Sequence, residues 1–456
     1  MTSDISRRTF MAGVGATAAA LSAEGRAAQP ATRPNVLLYV VDDQGTDDAG
    51  CYGNPVIRTP GQDMLAAEGT RFTRAFCTTP SCSASRSTIL TGWHNHANGM
   101  YGLAHSYHHF QSFDNVKTLP VMLSDAGYRT ARAGKYHVAP PEAYRFDEAF
   151  AGKSPVDMAD NCRDFVTGED DRPFFLYFCT TEPHRPFRRD GSQPIDPADV
   201  IVPDYLPDTK ESREELAQYY MSVERADSGL ARLIEILKEA GQWDNTLVVY
   251  ISDNGIAFPG AKTNLYEPGM RLPCIVRSPR QKKKGHACDA MITWTYITPT
   301  ILDFCDAMPE NHVFHGRSFL AALEEEHPRG FDEIYASHTF HEVTMYYPMR
   351  VVRGRRYKLI WNIASGLAYP FAQDLYASAT WRAMRERGEA HYGKRSIDAY
   401  MRRPPFELYD LEEDPHEINN LADSPEHATI LAELKEKLRA FQERTNDPWI
   451  HKWEYE

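Results

Sequence analysis

Residues 35–45 read Asn35-Val36-Leu37-Leu38-Tyr39-Val40-Val41-Asp42-Asp43-Gln44-Gly45. The six apolar residues in a row, three of them β-branched, predict a strand buried on both faces, as in a parallel sheet. The abrupt change to paired carboxylates predicts a loop at its carboxyl end. The same arrangement returns in Thr246-Leu247-Val248-Val249-Tyr250-Ile251-Ser252, followed by Asp253-Asn254-Gly255. In open α/β sheets, sites form beyond the carboxyl ends of the strands, so two acidic strand ends distant in sequence can meet at one place.

Two further boundaries have this form. Phe174 to Thr180 is a buried-strand candidate ending in Glu182-Pro183-His184, and Gly127 to Gly134 leads into Lys135-Tyr136-His137. Four strand ends therefore deliver ionisable residues. Between 213 and 241, Leu216, Val223, Leu230, Leu233, Ile234 and Leu237 recur at helical spacing and stop at Gly241, which predicts a crossover helix with a glycine C-terminus. From about residue 325 the pattern shortens to strands at Tyr347 to Val352 and Tyr357 to Ile360, then a last helix near Thr429 to Thr445. This predicts an α/β protein with residues 32–325 as a large catalytic domain and 326–456 as a smaller antiparallel α+β domain.

The first 31 residues stand apart. Ser6-Arg7-Arg8-Thr9-Phe10-Met11 before an Ala- and Gly-rich apolar stretch looks like a twin-arginine signal and linker, too short in its apolar part to span a bilayer. It implies passage through the twin-arginine export machinery to a periplasmic or secreted location. The chain of 456 residues is 42% apolar and 25% charged, ordinary for a globular protein, and its net charge of -13 argues against nucleic acid as a partner. Lys282-Lys283-Lys284 reads as a solvated loop. Eight cysteines without CxxC or zinc-ligand spacing exclude a disulfide scaffold.

Asp42-Asp43 alone reads as a solvated turn. Joined to Asp253 and Asn254, it forms three carboxylates and an amide oxygen, the hard donor set that calcium takes, or magnesium less readily. The histidine-rich stretch of His94, His96, His105, His108 and His109 lacks a partner at zinc-ligand spacing and reads as structural.

Residues 82 to 92, Cys82-Ser83-Ala84-Ser85-Arg86-Ser87-Thr88-Ile89-Leu90-Thr91-Gly92, resemble the nucleophile signature of the type I sulfatases. In that family the cysteine is oxidised to formylglycine by a maturation enzyme. The resemblance implies an alkaline-phosphatase-like sulfatase fold with a large mixed sheet flanked by helices. It further implies that Asp42, Asp43, Asp253 and Asn254 bind calcium, with the formylglycine derived from Cys82 completing the shell. One hydroxyl of the hydrated aldehyde attacks sulfur, and deprotonation of the other expels sulfate. By the same resemblance Asp253 helps activate the attacking hydroxyl and His137 deprotonates the second. Arg86 and Lys135 hold the diol, and His184 and Lys262 contact sulfate and protonate the leaving atom. The sequence departs from the family at Ala84, where proline is commoner, which bears on the maturation system that reads the site.

A second resemblance, to the heparan N-sulfatase branch of that family, is carried by Asn98-Gly99-Met100-Tyr101-Gly102-Leu103, His108-His109-Phe110, Thr263-Asn264-Leu265-Tyr266, His341-Glu342-Val343-Thr344-Met345 and Asp447-Pro448-Trp449. It implies N-sulfoglucosamine at the end of a sulfated glycan as substrate, His341 and Glu342 as sugar-binding residues, and a homodimer. A strand of the second domain could equally carry His341 and Glu342 structurally. An O-sulfatase for another sulfated polysaccharide, a phosphodiester or phosphonate hydrolase, and a glycan-binding protein without turnover are the competing readings.

Overall fold

A computed structural model describes residues 33–454 apart from Glu169. The stretch at residues 1–31 read as an export signal lies outside the described residues. Eight strands form one mixed sheet: β1 Asn35–Val41, β2 Thr70–Phe76, β3 Arg129–Gly134, β4 Glu148–Phe150, β5 Phe174–Cys179, β6 Thr246–Ser252, β7 Arg271–Arg277 and β8 His286–Thr293, in the order β4-β3-β5-β1-β6-β7-β2-β8. β1 lies parallel to both β5 and β6, and only β7 runs against its neighbours.

The two runs read as buried parallel strands form β1 and β6 with the expected bounds, because both sheet faces are covered and every residue of each is buried. Val36, Leu38 and Val40 face one apolar layer with Ile89, Leu119 and Ile301, while Leu37, Tyr39 and Val41 face another with Leu65, Met158 and Leu233. This alternation places the helix Cys82–Thr91 on one face and the long helix Lys210–Glu239 on the other. The Thr209 hydroxyl caps the long helix by accepting from Ser212 N–H at 3.3 Å. At its other end Gly241 takes φ 65°, its N–H bonding Lys238 O while Gln242 N–H bonds Leu237 O, a Schellman closure that needs glycine at that position. The C-terminus expected from Gly241 is thus present.

Parallel register aligns the carboxyl ends. Val40 sits opposite Cys179, Val41 opposite Ser252 and Gly134 opposite Cys179. Past the strands, Asp253 N–H bonds Val41 O, Asp42 N–H bonds Glu182 O and Lys135 N–H bonds Cys179 O. The ionisable residues that follow four strands are thereby delivered to one edge.

The smaller sheet is antiparallel, as expected. It comprises β9 Glu333–His338, β10 Met349–Gly354, β11 Tyr357–Asn362 and the strand Phe406–Asp410. Val352, Leu359 and Leu408 pack against Leu434, Leu438 and Phe441 of the helix Ala428–Arg444, while Val351, Ile360 and Tyr409 on the opposite face join the main core. Because that inner face is shared, the chain from Arg33 onward forms one compact unit. All eight cysteines are free thiols, and Cys179 is a core residue as read from its apolar run. Among the described residues no helix is long and apolar enough to cross a membrane.

Candidate active site

Cys82 opens the buried helix Cys82–Thr91, where the helix N-terminus adds a partial positive charge. Its Sγ lies 3.9 Å from Asp43 Oδ1 at the end of β1. One turn further, Arg86 Nε donates to Asp253 Oδ2 at 2.9 Å, and Arg86 Nη2 lies 3.6 Å from Asp42 Oδ1. Lys135 Nζ donates to Asp42 Oδ2 at 2.5 Å from the end of β3. Lys262 Nζ donates to Asp43 Oδ2 at 2.9 Å and to Asp374 Oδ2 at 3.0 Å. His184, after β5, turns Nε2 toward the same two carboxylates at 3.8 and 3.9 Å, and its Nδ1 contacts the carbonyl of Arg185.

Three site residues, Asp43 (φ 74°), His137 (φ 55°) and Thr263 (φ 66°), hold the left-handed backbone region that non-glycine residues avoid. Such conformations persist only where the surroundings over-determine them. Here the loops are braced by close backbone approach: Gly255 N–H bonds Gly269 O at 3.1 Å, and a Cβ at Gly255 would meet Pro268 O at 2.0 Å.

Burial and neighbouring charge separate the protonation states. Burial pushes the Cys82 thiol well above its usual range despite Lys135 and Lys262, so the cysteine is a protonated thiol, not a thiolate nucleophile. Burial also pushes Asp253 up to about 7, with Arg86 opposing it. At Asp42 burial raises the value, but Lys135, His184 and Arg86 outweigh it and hold the carboxylate well below its usual range. Burial, then Lys135 and Arg86, hold the His137 imidazole well below its ordinary value, which keeps the ring neutral. Lys262 is raised well above its ordinary value because Asp374 and Asp43 outweigh burial, and Asp374 is depressed as Lys262 outweighs burial there.

The oxygen set fits a divalent cation. Ligand atoms of Asp42, Cys82 and Asp253 lie within 4.8 Å of one another. Asp42 Oδ1 and Asn254 Oδ1 are buried and lack a hydrogen-bond partner, an arrangement costly for polar atoms unless another ligand binds them. Four carboxylates, Asp42, Asp43, Asp253 and Asp374, face the three cations Arg86, Lys135 and Lys262. An anion entering this excess of negative charge would be repelled; a hard divalent ion reverses the balance.

Every residue singled out for the core, Asp42, Asp43, Cys82, Arg86, Lys135, His137, His184, Asp253, Asn254 and Lys262, is brought to this edge of the sheet. His341 is buried, with Nδ1 2.9 Å from Ser81 Oγ, directly before Cys82. Glu342 Oε1 accepts from Gln373 N–H at 2.8 Å, so that carboxylate bonds backbone beside the site. Two residues join that the sequence reading did not select. Asp374 sits on the short helix Gln373–Tyr376, whose four residues carry no periodicity to mark it. His105, read as structural, contacts Nε2 of His137 through its Nδ1. His96 fits the structural reading: it is buried between the hydroxyls of Ser337 and Thr445.

The sulfatase family model matches residues 34–307, and that for the N-sulphoglucosamine sulphohydrolase C-terminal region matches 261–371 and 379–444. Human N-sulphoglucosamine sulphohydrolase is 38% identical over 92% of this chain and 92% of its own. An ulvan-active sulfatase of Formosa agariphila is 29% identical over 89% of this chain and 78% of its own. In fold, the chain is similar to BT4656, solved in complex with its substrate D-glucosamine-2-N,6-O-disulfate (TM-score 0.69, 22% identity, 91% of this chain and 99% of the other). It is equally similar in fold to the phosphonate monoester hydrolase of Agrobacterium radiobacter (TM-score 0.69, 19% identity, 91% and 96%). With its signature cysteine beside a carboxylate-lined candidate cation site, the chain belongs to the sulfatase family of hydrolases and carries the N-sulphoglucosamine sulphohydrolase type of C-terminal region.

Proposed function

We propose that this sulfatase removes the N-linked sulfate from a terminal N-sulfoglucosamine of a heparan-type glycan. The observation that carries this reading is the match of the N-sulphoglucosamine sulphohydrolase C-terminal model over 261–371, a stretch that contributes both Lys262 and His341 to the site. The twin-arginine stretch at Ser6 to Met11 supports a periplasmic or secreted location.

Asp42, Asp43, Asp253 and Asn254 would hold a calcium ion, which would neutralise the charge of the sulfate, and Cys82, once oxidised to formylglycine, would supply the hydroxyl nucleophile. Around these groups the chain's own residues divide the work. Asp253, fixed by Arg86 Nε at 2.9 Å and close to Cys82, is placed to take the proton of the nucleophile. Arg86 and Lys135 fix the nucleophile and offset developing negative charge in a site largely closed to water. His137 is neutral and its buried Nδ1 lacks a partner, which leaves it free to accept a proton as sulfate is released. Lys262 Nζ and His184 Nε2 stand on the opposite side as donors to the leaving nitrogen.

The test is sulfate release from N-sulfoglucosamine and from 6-O-sulfated N-acetylglucosamine, using protein whose conversion at position 82 is established by peptide mass. Release from the first sugar supports the reading. Release from the second alone assigns the enzyme to the O-sulfatases.

A further inference from the structure

Lys262 has two carboxylate partners where one would neutralise it. Asp43 Oδ2 at 2.9 Å is sealed from solvent, whereas Asp374 Oδ2 at 3.0 Å belongs to a side chain that is 22% exposed. His184, at 31%, is the other exposed member of this group, and its Nε2 is 3.9 Å from the same Asp374 oxygen. Asp374 therefore stands on the more exposed side of this group, next to Lys262 and His184. Its Oδ1 accepts from the N–H of Leu375 at 2.9 Å, and Glu342 Oε1 accepts from the N–H of Gln373 at 2.8 Å, which anchors the backbone just before Asp374.

A surplus carboxylate beside the leaving atom is unfavourable for an O-sulfate, whose departing oxygen gathers negative charge and keeps no hydrogen until one is delivered. A sulfamate differs. Its nitrogen carries a hydrogen throughout and ends as an amine that is largely an ammonium ion at neutral pH. We propose that Asp374 selects for a nitrogen leaving group, its carboxylate accepting that N–H and stabilising the departing amine; this rests on the N-sulfate reading above. In the step, the hydroxyl oxygen at position 82 forms a bond to sulfur and gives its proton to Asp253, and the sulfur–nitrogen bond breaks. Its electron pair goes to nitrogen, which takes a proton from Lys262 Nζ or His184 Nε2. Asp374 gives up and gains no proton. Glu342 acts through it as a positioning residue for the helix Gln373–Tyr376.

The test compares matured wild type with Asp374→Asn, Asp374→Glu and Glu342→Gln on N-sulfoglucosamine and on 4-nitrophenyl sulfate, whose leaving group needs no proton. Asp374→Asn is expected to lower kcat/KM on the sulfamate roughly 100-fold, the lower end of what one preorganised group stabilising charge in the transition state contributes, with most of the loss in kcat. The aryl sulfate value should fall by at least about tenfold less than the sulfamate value, a contrast that damaged folding would not produce. Asp374→Glu, which keeps the charge, restores part of the sulfamate activity, and Glu342→Gln shifts the ratio in the same direction by less. Equal losses on both substrates, or none, overturn the assignment of Asp374. A wild type that hydrolyses the aryl sulfate and leaves N-sulfoglucosamine intact overturns the N-sulfate reading itself, and this inference with it.

Discussion

Arg86 Nε donates to Asp253 Oδ2 at 2.9 Å with neither side chain exposed, and this ion pair joins the helix that begins at Cys82 to the carboxyl end of β6. It couples the position of Cys82 to the candidate cation site. Replacing Arg86 by methionine leaves Asp253 buried without its cation, a change worth about 3 kcal/mol of stability. Urea unfolding should show the lower midpoint at unchanged slope, and aryl sulfate hydrolysis should fall to background.

Cys82→Ala tests the oxidised side chain separately from folding. The thiol makes one weak contact, to Asp43 at 3.9 Å, so the variant should unfold within about 1 kcal/mol of the wild type, as small changes at a site without a large cavity do. Its hydrolysis of 4-nitrophenyl sulfate should be abolished. Retained turnover would show that position 82 is not the nucleophile.

Removal of divalent ions should abolish activity and lower the thermal midpoint, because a ligand that binds only the native state stabilises it by mass action. Calcium should restore both more fully than magnesium, since calcium accepts irregular sets of carboxylate and amide oxygens whereas magnesium demands near-octahedral geometry. Asp43→Asn should raise the calcium concentration needed for half-recovery. Full activity in chelator would contradict the cation site.

Arg350 and Asp447 form a buried bidentate pair, with Nη2 to Oδ1 at 2.8 Å and Nε to Oδ2 at 2.5 Å, that ties the C-terminal segment to β10. Burial alone would raise the Asp447 carboxyl, but Arg350 outweighs it and holds it well below the usual range. A carboxyl depressed in the folded state contributes stability above its unfolded value, near 4, and loses it as the pH falls through the folded one. Asp447→Asn should therefore cost about 3 kcal/mol at neutral pH, and the gap to wild type should narrow below about pH 4. Unfolding free energies measured from pH 7 to 3 check both points.

The parts of the fold most legible in the sequence were those in which burial is complete. β1 and β6 carry unbroken apolar runs because helices cover both sheet faces, and their ends announce themselves by the change to carboxylates. β2, Thr70–Phe76, alternates Arg71, Thr73 and Arg74 with apolar residues and bends through a register shift, so it offers no such run and went unread. The site was legible where a residue follows a strand or lies in the Cys82 signature. Asp374 was not, because it reaches Lys262 from 112 residues away through tertiary packing alone. His105 was hidden in a histidine-rich stretch whose pattern resembles no ligand spacing, and only the left-handed turn at His137 brings the two rings together.

The most direct measurement uses one sugar bearing both kinds of sulfate. Glucosamine carrying a 2-N-sulfate and a 6-O-sulfate is incubated with the calcium-loaded, matured enzyme, and the first product is identified by mass and by the proton shifts at C2 and C6. The account predicts glucosamine 6-O-sulfate with a free amine. N-sulfoglucosamine with a free 6-hydroxyl would contradict it.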